Sequence, residues 1–204
     1  MKKIKIVKGV AYPHEYLWRA ALRCREAATQ GDKGSFHFLA QAALSSYLAF
    51  ESFINYLGQC LDPQAWKDEK TFFNQSEYYG IEGKVKRIVE KLPDYEWKKG
   101  ERPYQSIMEV RKFRNLMVHG KPYSFNKTIE IKNEEDEERV ELFEFDWEEF
   151  VSIENIERYM SHIKEFCESL RCQASGLFDD YDKDTHLFFK SFEGGLAHSE
   201  GCVR

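Results

Sequence analysis

The chain has 204 residues, a formal net charge of −5, 42% hydrophobic and 15% aromatic residues, which suits one globular domain with a proper core. No apolar run approaches the roughly 18 residues that a membrane span needs, and Met1 to Val7 lacks the apolar centre of a signal peptide. Cys24, Cys60, Cys167, Cys172 and Cys202 form an odd set with no CxxC pairing. A reduced, cytoplasmic protein without structural zinc is therefore expected.

Residues 3–7 alternate Lys-Ile-Lys-Ile-Val, the pattern of a short strand. From Pro13 to Gln30 the period turns helical, with Leu17, Ala20, Ala21 and Cys24 on one face, and Gly31-Asp32-Lys33-Gly34 breaks it. Residues 35–59 form the most apolar helix. Its polar members His37, Gln41, Ser45, Ser52, Asn55 and Gln59 fall in one narrow seam, with Glu51 at the edge. Two readings of that seam are open. It is a thin wet side that meets solvent, or Glu51 and Asn55 face another helix and order a cation there, because a buried carboxylate needs a paired charge.

Asp62-Pro63 ends this helix, and residues 66–80 carry no clear period. Glu82 to Leu92 reads as a helix with Val85, Ile88, Val89 and Leu92 inward, stopped by Pro93. After a charged loop over 93–103, a further helix begins at Tyr104 or Gln105. Residues 84–121 hold eleven Lys and Arg against five Asp and Glu, whereas 130–149 hold eleven acids against two bases. Thr128–Ile131 and Val140–Phe145 alternate apolar and polar around a turn, which predicts a hairpin insertion at about 127–146. Val151 to Arg171 gives a last helix. Residues 176–204 are expected to be a partly mobile tail, the domain proper being 1–175.

The stretch Glu109-Val110-Arg111-Lys112-Phe113-Arg114-Asn115-Leu116-Met117-Val118-His119-Gly120 divides into two faces. At about 100° per residue, Val110, Phe113, Leu116 and Met117 fall on one side. Arg111, Arg114, Asn115 and His119 fall on the other, with Val118 the apolar exception. Gly120 predicts a left-handed helix stop, which places His119 on the last turn, where the dipole and the unpaired carbonyls suit a proton-carrying group. A polar face opposite an apolar stripe is also what a merely solvated helix presents. The basic stretch that contains this helix fits a phosphate-bearing substrate, since phosphate attraction is local.

Arg114-Asn115-x-x-x-His119 resembles the Arg-x4-6-His signature, with a polar residue after the Arg, of the HEPN superfamily (higher eukaryotes and prokaryotes nucleotide-binding). Phe50-Glu51-Ser52-Phe53-Ile54-Asn55-Tyr56-Leu57 resembles the acidic and amide pattern that precedes it in that superfamily. The resemblance implies a mainly α, up-and-down bundle of four to five helices, here with a small β-hairpin insertion, and a homodimer. It implies a metal-independent endoribonuclease acting by 2′-hydroxyl attack, with Arg114, His119 and Asn115 catalytic. Glu51, Asn55 and Arg111 would support them, Lys112 and Lys121 would contact the RNA, and no metal or cofactor is called for. An antitoxin or nucleotidyltransferase partner accompanies some toxin members, which carry a modified tyrosine two residues after the His. That position is Lys121 here, with Tyr123 the nearest tyrosine, a departure from the paired version. The alternative is a non-catalytic HEPN dimerisation or nucleotide-binding scaffold.

Overall fold

The structure, a computed structural model, describes residues 12–30, 34–120 and 150–177. These residues are mainly helical, with no strand among them. The expected strand at 3–7, the hairpin at 127–146 and the tail beyond Leu177 lie outside the described residues.

Helix α1 spans Pro13–Thr29, with Pro13 in the first turn, where its missing N–H costs nothing, and Glu15 near the positive end of the dipole. Helix α2 spans Ser35–Leu61 and starts after Gly34, whose φ of 109° only glycine takes without strain. It is the axis of the fold. Helix α1 packs along it, and α5 (Gly80–Val89), α6 (Tyr104–His119) and α7 (Ile153–Ala174) pack around it. Tyr47, Phe50, Ile54 and Leu57 of α2 are fully buried with Ile88, Ile107, Phe113, Ile156 and Ile163 from the other three helices. Phe166 of α7 ties the layers together, its ring 5.3 Å from Tyr104 and 6.2 Å from Phe50.

Asp62 both ends α2 and caps the short α3 (Pro63–Lys67), its carboxylate accepting from the Ala65 N–H at 3.3 Å. Residues 66–80, without a period in the sequence, form α3, α4 (Glu69–Phe72) and a 3₁₀ turn at Ser76–Tyr78. Rings hold these short pieces in place: Trp66 lies edge-on to Phe73 at 4.5 Å and Phe72 stacks on Tyr78 at 5.3 Å. Gly58 of α2 lets Trp66 approach, since a Cβ there would lie 2.0 Å from the indole. Ser152 caps α7, its hydroxyl accepting from the Asn155 N–H at 3.2 Å.

Three sequence expectations are corrected. Leu116 and Met117 do not join the core but are 50% and 43% exposed. The inward stripe of α6 ends at Phe113, and residues 115–119 are all exposed, so the last turn stands clear of the packed layers. Gly120 is not left-handed: its φ is −56° and ψ 128°. Glycine suits this position for a different reason, because a Cβ would sit 2.3 Å from the Leu116 carbonyl oxygen. On α1, Ala20 is exposed and the buried face is instead His14, Trp18, Ala21 and Ala28.

His14 is buried against Phe53 and Tyr56, with ring centroids 5.8 and 5.3 Å away. Burial lowers its pKa from 6.5 to about 4. The unfolded chain therefore takes up a proton below pH 6.5 that the fold refuses until about pH 4, so stability present above pH 6.5 is lost as pH falls. At pH 5 that loss is about 2 kcal/mol. Thermal melts at pH 7 and pH 5 should show the wild type losing roughly 4–8 °C more than His14→Phe, on the usual scaling for a chain of this size.

Candidate functional site

The polar face of α6 is anchored to α2. The Arg114 guanidinium lies 3.6 Å from the Glu51 carboxylate, with both side chains about a quarter exposed. Its other terminal nitrogen donates to the Asn115 side-chain carbonyl at 2.9 Å. Tyr47, one turn before Glu51 on α2, is fully buried beneath this pair. Its hydroxyl makes no hydrogen bond of good geometry among the described residues, yet it is close enough to feel the cluster. Burial raises its pKa and the Glu51 carboxylate raises it further, while Arg111 and Arg114 act the other way. Tyr47 thus stays a neutral phenol under a carboxylate and two guanidinium groups.

The remaining expected site residues divide. Arg111 turns to α5, 3.4 Å from Glu82, a carboxylate that also pairs with Lys99. Asn55 meets α5 rather than the Arg/His helix, accepting from the Lys84 ammonium at 2.7 Å. Lys112, Asn115 and His119, with Leu116 and Gly120, line an open groove of about 520 Å³ at the end of α6. Asn115 and His119 are four residues apart and so stacked on one face of the helix. Arg114 is not on the wall of that groove and reaches it through Asn115. His119 is exposed. Lys121 lies outside the described residues.

Two further contacts fix α6 against α7. Arg158 donates to the Glu109 carboxylate at 3.0 Å, and His162 Nδ1 shares a 2.8 Å hydrogen bond with the buried Ser106 hydroxyl. Tyr47, Glu82 and Lys84 take part in the cluster and were not among the expected site residues. For Tyr47 the signal was available, since it precedes Glu51 by four residues and so shares its face of α2. The chain matches no family model, no curated protein and no solved structure.

Chemically the groove offers an exposed imidazole, an amide and an ammonium, backed by a guanidinium whose position is set from the core. Such a set can move a proton and hold an oxyanion. Among the described residues, no three His, Cys, Asp or Glu side chains gather in a way that would hold a metal ion.

The different anchoring of these residues has a measurable consequence. His119→Ala and Asn115→Ala, at exposed positions, should keep the wild-type stability to within about 0.5 kcal/mol. Arg114→Ala leaves Glu51 facing Tyr47 without its cation and should cost about 1 kcal/mol, or roughly 2–4 °C in Tm. The Arg114→Ala/Glu51→Gln double variant, which removes the unpaired carboxylate, should recover part of that loss. Equal melting temperatures for Arg114→Ala and His119→Ala would show that the Glu51 contact carries no weight.

Proposed function

We propose that this chain is a metal-independent endoribonuclease of the HEPN type. His119 exchanges a proton with the attacking 2′-hydroxyl or the departing 5′-oxygen. The 2′-oxygen forms a bond to the adjacent phosphorus as the bond from phosphorus to the 5′-oxygen breaks, leaving a 2′,3′-cyclic phosphate and a 5′-hydroxyl. Asn115, held by Arg114, and the Lys112 ammonium on the groove wall meet the negative charge that builds on the phosphate oxygens, with the Arg114 guanidinium behind them.

The observation that carries this reading is the exposure of His119 in an open groove beside Asn115, while the neighbouring Arg114 is tethered to Glu51. A His119 buried with both ring nitrogens bonded to protein would have argued against it. The resemblance of Arg114-Asn115-x-x-x-His119 to the HEPN signature points the same way. A second reading, a non-catalytic dimerising or nucleotide-binding scaffold, draws on a different feature: Leu116, Met117 and Val118 expose apolar surface on the same turn. Under the first reading that surface is where a second copy joins, so that two grooves face one strand.

RNA incubated in EDTA with wild type, His119→Ala and Arg114→Lys separates the two. The wild type should cleave, and His119→Ala should be slower by about 10²-fold or more. Arg114→Lys should also be impaired, because one ammonium cannot hold both Glu51 and Asn115 as the planar fork does. RNA left intact by the wild type would overturn the ribonuclease reading in favour of the scaffold. Activity abolished by EDTA and restored by a divalent ion would show that the chemistry is not that of His119 and Arg114.

A further inference from the structure

A second cleft opens on α6 one turn before Asn115. It has a volume of about 340 Å³ and lies between the start of α5, the segment around Trp97–Lys99, and Arg111. This is within the usual size of small-ligand sites. Its wall combines two aromatic rings with three cations, Lys86, Lys99 and Arg111.

The two rings differ in what they have free. Trp97 stands edge-on to Tyr104 at 5.0 Å, and the Lys99 ammonium sits over its face at 5.8 Å. Tyr79, at the N-cap of α5, is 67% exposed and stacks on no described ring. A large ring held out by the residue that starts a helix, with an open face, is a stacking platform.

The charges are unequal as well. Lys99 and Arg111 share the single carboxylate of Glu82, whereas Lys86 has two, Glu77 at 2.9 Å and Glu90 at 3.9 Å. The surplus of one positive charge thus lies on the Lys99–Arg111 side of the cleft. One positive charge beside one open ring matches one nucleotide of a single strand, which brings one phosphodiester and one base. Arg111 and His119 are eight residues apart on the same helix, about 12 Å along its axis, so a strand in this cleft continues toward the groove at His119.

We propose that this cleft binds an unpaired nucleotide of single-stranded RNA, with the base stacked on Tyr79 and the phosphate held between Lys99 and Arg111. It is a substrate-gripping subsite separate from the reacting groups. The inference rests on the ribonuclease reading for its choice of RNA, and its test does not depend on cleavage.

The probe is a short fluorescein-labelled 2′-O-methyl oligonucleotide, which has no free 2′-hydroxyl and so cannot be cut by internal attack. Its binding to the full chain is followed by anisotropy over a range of salt. Tyr79→Ala should bind about 10-fold more weakly or worse, in line with the loss of one stacked base. Tyr79→Phe, which keeps the ring, should bind as the wild type does. Lys99→Gln should weaken binding and flatten the salt dependence by about 0.7 in the log–log slope, the share of one phosphate contact on a single strand. Both Tyr79 variants alter an exposed side chain and should melt with the wild type. An oligonucleotide that the wild type does not bind, or that Tyr79→Ala binds as tightly, overturns the proposal. Tyr79-dependent binding by a protein that leaves natural RNA intact upholds this subsite and refutes the ribonuclease reading.

Discussion

Glu51 places a carboxylate on the most apolar helix of the protein, with the buried Tyr47 ring one turn below and fully buried Phe50 and Ile54 on the same helix. A half-buried charge in that position is steadied by a cation, for about 1 kcal/mol. Arg114 is that cation, and meeting it fixes which way α6 turns about its own axis. Once Arg114 faces α2, Asn115 is held by the guanidinium and His119 stacks beyond Asn115 on the outer side. The open groove at the end of α6 lies beyond this half-buried ion pair at the edge of the core.

The rest of the bundle keeps that helix from yielding. Ile107, Val110 and Phe113 bury its inner face, and the Arg158–Glu109 and His162–Ser106 contacts pin it to α7. Arg111 is drawn the other way, toward Glu82 on α5. The two arginines of the motif helix therefore do different work. Arg114 joins α6 to the core helix, and Arg111 joins it to the second cleft. With the core ending at Phe113, the last turn carries its polar groups and its exposed Leu116, Met117 and Val118 together.

Much of this is legible in the sequence where a period is long. Helices α1, α2, α6 and α7 each begin within two residues of where apolar spacing and breakers place them, with Pro13 and Gly34 marking two of those starts and Asp62 the end of α2. Glu51 facing the Arg/His helix was one of two open readings of the seam, and a lone carboxylate on an apolar helix is what favours it. Asn55 follows the same spacing yet meets Lys84, since one helical turn is enough to pass from the α6 side of α2 to the α5 side. Residues 66–80 gave no period because α3 and α4 have 5 and 4 residues, too short for one, and are held by ring contacts instead. The exposure of Leu116 and Met117 was not legible either, because spacing gives the side of a helix on which a residue lies but not where its neighbours stop. The burial of His14 depends on Phe53 and Tyr56 arriving from α2, which local spacing does not show.

The most direct test of the chemistry proposed for the Arg114–Asn115–His119 face is the identity of the ends it leaves on a defined RNA. Internal attack requires the 2′-hydroxyl next to the broken bond. A single 2′-deoxy substitution at the mapped cleavage position should therefore abolish cutting there, and the unmodified strand should yield a 2′,3′-cyclic phosphate and a 5′-hydroxyl. Cleavage that survives the 2′-deoxy substitution, or that leaves a 3′-hydroxyl and a 5′-phosphate, would contradict the account.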